Sequence, residues 1–501
     1  MSPVYGWVAV GLVATVTLTI GALGLRLSRT TSDFYVASRS VGPAWNASAI
    51  GGEYLSAASF LGAAGLILTF GAEMLWFPVG WTVGYLFLLV LVAAPLRRSG
   101  AYTIPDFAET RLESRTARRV ATVFVVLIGW LYLLPQFHGA GLTLATVTGA
   151  PRWVGEVMVG AVVASSVMFG GMRSITFVQA FQYWLKLTAL LVPIVFCLLT
   201  WRGAGTPVPD GTWTVPLVEP DEHELYRTYS LIVATFLGTM GLPHVLVRFY
   251  TNPDGRAARR TTLIVLGLLG MFYLLPGIYG FLGRVYATDL ATDGRTDALV
   301  LELPGRIIGG TGGDLLGALV AAGAFAAFLS TSSGLTVSVA GVINQDLLGR
   351  LVPPVAGFRI ASFVAVLVPL SLALLTQRLS VATSVSLAFA VAASTFCPLL
   401  VLGIWWPRLT DAGAIAGACA GGAASGMAVV ATMLDNDRSG WLGALLSQPA
   451  AWTVPIGFAV MVAGSLLTPR RVAPNVSRTM VRLHTPEGLD VDRGSWRPRG
   501  S

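Results

Sequence analysis

The feature that most constrains this chain is a succession of apolar segments long enough to cross a lipid bilayer. A helix needs about 20 apolar residues to span the hydrocarbon core, and such runs recur along the whole chain, separated by short charged or Gly/Pro-containing loops. Only 12% of the residues are charged, whereas a soluble domain carries about 25%. The composition excludes an ordinary soluble protein and predicts an all-α polytopic membrane protein.

The length criterion predicts about 13 membrane-spanning helices. Their centres are expected near Val13, Ser56, Leu86, Trp130, Val162, Lys186, Leu237, Leu269, Ala326, Ala365, Phe389, Ala423 and Ile456. No appended soluble domain is expected. The polar tail from Thr468 onwards is predicted to be disordered.

Arginine-rich connections follow alternate spans and orient the chain. They hold Arg26, Arg29 and Arg39 after the first span, Arg97, Arg98, Arg111, Arg115, Arg118 and Arg119 after the third, Arg248, Arg256, Arg259 and Arg260 after the seventh, and Arg470 and Arg471 after the last. Because basic loops stay on the cytoplasmic side, we predict the N-terminus outside and the C-terminus inside. This distribution accounts for the net charge of +8 without a nucleic-acid partner.

Polar groups inside apolar segments are costly in lipid, so each is a candidate functional residue. The second span reads AIGGEYLSAASFLGAAG, in which Gly51 and Gly52 precede Glu53. Glycines can interrupt a transporter helix and free carbonyls for a cation, or they can serve close helix packing. The adjacent carboxylate of Glu53 favours the functional interpretation.

The ninth span carries four consecutive hydroxyl residues in AFLSTSSGLT, from Ser330 to Ser333. They could be hydrogen-bonding residues between packed helices, or some could be ligands of a cation. Ser332 points in another direction from Ser330 on a helix, so we expect it to bond to a carbonyl one turn back.

Two further kinds of polar residue enter the predicted spans. Lys186, the only lysine of the chain, could repel cations, pair with Glu53, or extend its ammonium towards the interface. His138 and His244 are the only histidines in the spans, which leaves a haem pair as a weak alternative.

Four segments resemble the sodium/solute symporter family, and in particular its acetate and other monocarboxylate transporters. They are DFYVASRSVGPAWNASAIGGEYLSAASFLG at 33–62, GGMRSITFVQAFQ at 170–182, GLPHVLVRFYTNPDGRAARR at 241–260 and WWPRLTDAGAIAG at 405–417. The resemblance covers almost all of the chain outside the tail. It implies a symporter rather than an enzyme, located in a bacterial plasma membrane.

The family has a leucine-transporter-type fold, with two inverted repeats of five helices. The resemblance therefore implies a flanking helix and loop at 1–44, the first repeat at 45–201, an extracellular loop at 202–225 and the second repeat at 226–404. Flanking helices at 405–468 and a cytoplasmic tail at 469–501 complete the chain. Spans two and seven are expected to be broken around a central substrate site.

The resemblance also implies a sodium site between the second and ninth spans, without any other cofactor. Its ligands are expected to be the carbonyl oxygens of Gly52, Leu55 and Ala327 and the hydroxyls of Ser330 and Thr331. Oxygen ligands without a charge suit a weakly bound monovalent cation. Gln179 stands where many sugar transporters of the family carry an aspartate, which argues for one sodium ion per cycle.

The expected function is sodium-coupled symport of a short-chain monocarboxylate such as acetate, propionate or pyruvate. Tyr54, Gln136, Thr235 and Thr239 are predicted to line the substrate site, from helix placement and polarity. The alternative is coupling to protons, for which Glu53 and Lys186 are candidates, and other small organic solutes stay open. A transporter-like membrane sensor is less favoured. The oligomeric state is left open, a monomer included.

Overall fold

The computed structural model describes residues 2–24, 41–209, 213–217, 222–349, 351–376, 380–434 and 439–487. Within these ranges the regular structure is helical, apart from one isolated β-bridge between Thr410 and Val472. The predicted loop charges Arg26, Arg29 and Arg39 lie outside the described residues, and so does the tail after 487.

The helices follow one another with short connections. They are α1 (Pro3–Gly24), α2 (Pro43–Tyr54), α3 (Ala63–Phe70), α4 (Trp76–Phe87), α5 (Ala93–Arg98), α6 (Ile104–Leu112), α7 (Arg115–Thr148), α8 (Arg152–Gly203), α9 (Glu224–Gly241), α10 (Pro243–Phe249), α11 (Gly255–Tyr286), α12 (Asp289–Thr292), α13 (Leu299–Ile307), α14 (Gly310–Ile343), α15 (Pro354–Leu375), α16 (Val381–Trp405), α17 (Asp411–Leu434), α18 (Gly440–Ser447), α19 (Ala450–Leu467) and α20 (Val476–His484). Single π-helical turns, Ala58–Gly62, Leu88–Val92 and Asn344–Leu348, adjoin α3, α4 and α14.

The described residues contain 11 helical stretches long and apolar enough to cross a membrane, or 12 if the bent pair of α9 and α10 is one span. One of these stretches, Ala58–Ser99, has 42 residues, which as a helix would measure about 63 Å, roughly twice the hydrocarbon core. Gly71, with a φ of 78°, interrupts it in a conformation that only glycine adopts freely. When its two arms are counted separately and the bent pair is counted as one span, the total is the 13 spans predicted from the sequence.

Two spans are broken, as expected. Helix α2 ends at Tyr54, and the following Leu55 and Ser56 are not helical. Helix α9 ends at Gly241 and continues as α10 after a bend of 44°. Pro243 stands at the start of α10, where its missing N–H leaves no helical bond unmade. These breaks lie near the starts of the two repeats at 45–201 and 226–404, which stay a prediction.

The centre of the molecule is built around α14 and α16, whose spans are 83% and 89% buried. Helix α14 packs against α8 and α7, and α8 also packs against α2. The many Ala, Gly and Ser residues of α14 allow these helices to approach closely. The interrupted segment after α2 is therefore enclosed by α8 and α14, well away from lipid.

Ion pairs close the end of the molecule that is predicted to face the cytoplasm. Arg118 at the start of α7 contacts Asp106 at 2.8 Å, Glu109 at 2.6 Å and Asp346 at 2.7 Å. The first two belong to α6, and Asp346 lies in the π-helical turn after α14. One guanidinium thereby joins three helices. Burial raises the pKa of Asp106, against the opposite effect of Arg118.

The tail corrects one expectation. Its residues up to Glu487 are not disordered but include α20, whose Leu483 is buried. Arg98 holds this helix through the carbonyls of Leu483 and His484, both at 3.4 Å, and through Glu487 at 3.3 Å. The polar composition of the whole tail predicted disorder, but Val476, Met480 and Leu483 recur at helical spacing and give α20 one apolar face.

Candidate cation and substrate site

The interruption after α2 leaves backbone groups without helical partners, and side chains of three other helices satisfy them. The Gly52 carbonyl accepts from Ser330 Oγ at 2.6 Å and the Glu53 carbonyl accepts from Thr331 Oγ1 at 2.6 Å. On the other side of the gap, the N–H of Ala57 donates to Gln136 Oε1 at 3.0 Å. In a dry interior each such group must be paired, so these contacts hold the break open in a defined shape.

Glycines at two positions allow this approach. A Cβ on Gly52 would overlap the main chain of Gln179 on α8, and a Cβ on Gly334 would overlap the carboxylate of Glu53. The absent side chains let α2 lie directly against α8 and α14. The glycines of the second span therefore serve close packing and the break at the same time.

Lys186 extends from α8 into the break and is fully buried. Its Nζ donates to the carbonyl of Gly52, to the carbonyl of Leu55 at 2.7 Å and to the hydroxyl of Ser330 at 2.5 Å. We call these three oxygens the oxygen cage. A protonated lysine has three N–H donors and no acceptor, and here each donor has one oxygen.

The five predicted sodium ligands are thus neighbours, but they do not all face one point. The oxygens of Gly52, Leu55 and Ser330 surround the Lys186 ammonium, and the Ala327 carbonyl lies 3.0 Å from Ser330 Oγ. Thr331 turns instead towards the carbonyl of Glu53. The sodium assignment of the five residues stays a prediction. The sequence placed Lys186 in the same region but did not place its ammonium among these oxygens.

Glu53 has a different partner from the one considered in the sequence. Its Oε2 lies 2.7 Å from Nε of Arg248, and both side chains are at most 2% exposed. Arg248 was expected in a cytoplasmic loop and is instead buried in α10, which corrects that part of the topological argument. A buried carboxylate needs a counter-charge, and this need is the signal that could have pointed to Arg248.

Arg248 also connects this pair to the oxygen cage. It donates to Thr176 Oγ1 at 2.7 Å and to Gln179 Oε1, and Gln179 Nε2 donates to the Ser330 carbonyl at 2.8 Å. A neutral amide is required for this arrangement, because it must accept at one end and donate at the other. Gln179 therefore joins α10, α8 and α14.

Two of the four predicted substrate residues meet at the break. The Tyr54 hydroxyl lies 2.7 Å from Thr239 Oγ1. The Thr235 hydroxyl donates to the Leu231 carbonyl of its own helix at 2.8 Å. The Thr235 side chain packs directly against Gly80, where a Cβ would not fit. Gln136 supports the break through Ala57. A role for all four in substrate binding stays a prediction, but Tyr54 and Thr239 are the pair that the fold brings together.

An aromatic shell encloses this pair. Phe389 of α16 lies 6.5 Å from Tyr54, 6.0 Å from Trp81 and 5.7 Å from Tyr132, measured between ring centroids. Tyr85 meets Tyr54 edge-on at 4.6 Å. The sequence analysis missed these residues, because aromatic side chains in apolar spans do not by themselves distinguish a site from ordinary packing.

Two donors in this shell have no hydrogen-bond partner among the described residues. They are the Trp81 indole Nε1 and the Tyr85 hydroxyl, on side chains that are 1% and 0% exposed. The residues are four apart on α4, so they share one helix face. Buried polar groups are almost always paired, so these two donors have room in their hydrogen bonding for a water molecule or a ligand.

The two histidines have separate surroundings. His138 Nε2 lies 3.0 Å from the Ala373 carbonyl, and its side chain lines a cavity of about 290 Å³ with Thr376 and Ser384 among its neighbours. The His244 ring packs edge-on against Tyr132 at 5.4 Å. The described structure gives the haem alternative no support.

Known proteins resemble this chain in sequence and in fold. Residues 34–421 match the sodium:solute symporter family. The uncharacterized symporter YwcA of Bacillus subtilis (strain 168) is 31% identical over 512 residues, which cover 95% of this chain and 97% of YwcA.

Solved structures of transporters share the fold. A substrate-bound, outward-open Na⁺-coupled sialic acid symporter superposes with a TM-score of 0.67 over 94% of this chain and 98% of that one, at 14% identity. The manganese transporter of Eremococcus coleocola reaches 0.52 over 89% and 97%, also at 14% identity. The leucine-transporter-type fold is therefore confirmed.

The matched residues cover more than half of the chain, and the helices supply the expected spans. The protein is a multi-pass protein of the plasma membrane and a transporter rather than an enzyme, and its membership supports sodium-coupled symport of a small solute. This chain belongs to the sodium:solute symporter family.

Proposed function

We propose that the chain carries a short-chain monocarboxylate, of the acetate, propionate or pyruvate type, by cation-coupled symport. The observation that carries this proposal is the pair of unpartnered donors, Trp81 Nε1 and the Tyr85 hydroxyl, inside the aromatic shell. A carboxylate has two oxygens that accept hydrogen bonds and no donor. One carboxylate could therefore accept a hydrogen bond from each of the two donors.

The charges near the break also favour an anion. Glu53 and Arg248 neutralise each other at 2.7 Å, and the ammonium of Lys186 adds one positive charge next to Leu55. A negative substrate beside Tyr54 would therefore experience a net attraction at low effective dielectric constant. The surrounding rings suit a short apolar tail and carry no charge that would pair with a second ionised group of the substrate.

Two coupling ions are candidates. Sodium is supported by the family of the chain. The proton is favoured by a specific observation, namely that the Lys186 ammonium contacts three of the five oxygens predicted to bind sodium.

Alternating access would require the ion pairs of Arg118 to separate, because they join α6 and α7 to the end of α14.

The test is uptake of labelled acetate, propionate and pyruvate into proteoliposomes that contain the purified protein. We expect Tyr85→Phe to raise the KM roughly 10-fold or more, as hydrogen bonds to a charged group contribute about 1.5–3 kcal/mol. Tyr229→Phe is the matched control, because Tyr229 is 62% exposed on α9, and it should leave the KM unchanged. Absence of uptake of all three acids by folded wild-type protein would refute the proposed substrate class.

A further inference from the structure

We infer that the side chain of Lys186, as an ammonium, is the resident cation of the oxygen cage and takes the place there of a sodium ion. The cage consists of two carbonyl oxygens freed by the helix break and one hydroxyl, those of Gly52, Leu55 and Ser330. All three are uncharged and buried; Gly52 lies in α2, Leu55 directly follows it, and Ser330 lies in α14. Such a set is complementary to one monovalent cation.

The geometry matches an ammonium in number and in direction. Nζ lies 2.7 Å from the Leu55 oxygen and 2.5 Å from Ser330 Oγ, so both oxygens are within reach of N–H donors of an ammonium. The third donor goes to Gly52. Hard cations also bind oxygen near these distances, so the ammonium stands where a metal ion would stand.

For reasons of both space and charge, a sodium ion and the Lys186 ammonium cannot occupy the oxygen cage at the same time. The oxygens that a sodium ion would need are already directed at Nζ. The carboxylate that could compensate a second positive charge, Glu53, is paired with Arg248. With the ammonium in place, the surroundings carry the net charge of +1 that a bound sodium ion would give them. A sodium ion in addition would leave two positive charges without a counter-charge in a dry site.

Packing fixes the ammonium in this position. Gln179, two turns before Lys186 on α8, bonds to the Ser330 carbonyl at 2.8 Å and presses its main chain against Gly52. The α8 segment that carries Lys186 is thus attached to both helices that form the cage. The contact is built by the fold and does not depend on a flexible surface side chain.

This assignment has a consequence for the transport cycle, and here it rests on the proposed transport function. A tethered cation leaves the cage when its side chain moves or when it loses a proton. In the second case an N–H bond breaks, the electron pair stays on Nζ, and the proton passes to water on the side to which the carrier is open. Among the described residues, the charged group that acts on Lys186 is Glu53 on α2, which is paired with Arg248 on α10. From α14 the cage receives a hydroxyl.

The experiment measures binding of labelled sodium to the purified, full-length protein at neutral pH. We expect wild type to show no saturable sodium binding that Ser330→Ala removes. We expect Lys186→Ala to gain saturable binding, with roughly one ion per chain by single-site linkage, and Lys186→Ala/Ser330→Ala to lose it again. Lys186→Arg keeps a positive charge and should bind no more sodium in the cage than wild type.

Two outcomes would overturn the inference. One is sodium binding to wild type that Ser330→Ala abolishes, and the other is a folded Lys186→Ala protein that gains no binding. Should Lys186→Ala fail to fold, the comparison of wild type with Ser330→Ala still decides. Because these measurements need no substrate, a failure of acetate uptake would refute the proposed function without touching this result. Sodium binding unaffected by Ser330→Ala would place sodium outside the cage and support the inference.

Discussion

Neutralising the buried pair of Glu53 and Arg248 one side at a time gives the sharpest prediction about the energetics of this site. The two atoms Nε and Oε2 are 2.7 Å apart, and both side chains are at most 2% exposed. At an effective dielectric constant of about 20, their attraction amounts to about 6 kcal/mol, much of which is offset by the loss of water. Removal of one partner from such a pair typically costs about 3–5 kcal/mol.

The two single variants should not be equal. Glu53→Gln leaves the positive charges of Arg248 and Lys186 together without a carboxylate, whereas Arg248→Gln leaves Glu53 with Lys186 as a nearby counter-charge. We therefore expect Glu53→Gln to lower the free energy of unfolding by the full 3–5 kcal/mol, and Arg248→Gln by about 2–3 kcal/mol. In the double variant no unpaired charge of the pair remains, so the loss should be smaller than the sum by at least about 2 kcal/mol.

The assay is equilibrium unfolding in mixed micelles, followed for wild type, both single variants and the double variant. Glu302→Gln is the control, because Glu302 pairs with Arg295 and Arg306 at the surface, at 2.5 and 2.9 Å. Such a pair contributes roughly 0–1 kcal/mol. Losses below 1 kcal/mol for both single variants, or strictly additive losses, would refute the argument. Equal losses would show that Lys186 does not act as a counter-charge.

Two further predictions concern the helix break and the start of α16. Gln136→Leu removes the acceptor of the buried Ala57 N–H, so deuterium exchange at residues 55–60 should become faster. Gln136→Glu keeps an acceptor and is the control. Unchanged exchange in the leucine variant would contradict the role of Gln136 in supporting the break. Asp297, outside the spans, accepts from the Val381 N–H at 3.2 Å, and burial raises its pKa above the ordinary value of 3.8. An acid whose folded pKa is raised contributes stability at low pH that is lost as pH rises through the folded value. Relative to wild type, Asp297→Asn should therefore gain thermal stability as the pH rises from about 4 to 7, and a pH-independent difference would contradict this.

Much of the fold follows from the sequence because each span must satisfy its own backbone. The length of the apolar runs gave the number of spans, and Gly51, Gly52 and Pro243 marked where two helices break. Helix α20 was missed because its apolar positions, Val476, Met480 and Leu483, lie within a segment of only nine residues in an otherwise polar tail.

Several residues of the site could be predicted from the sequence, but the partners of each residue could not. Glu53, Lys186 and Ser330 stand out as polar residues in apolar segments, yet their partners depend on how α2, α8 and α14 approach one another. Arg248 was misplaced because a basic residue near the end of a span normally indicates a cytoplasmic loop. Trp81 was missed because its free N–H becomes visible only when every neighbour is known.

The contact of Lys186 with Gly52, Leu55 and Ser330 also changes what the surroundings can control. A dissolved ion occupies its site according to its concentration, whereas a covalently attached group has an effective concentration set by the chain itself. The link between α2 and α14 would then hold equally well in fresh water and in brine. A carrier built this way would keep its central helices together in habitats where an ion-dependent relative would loosen.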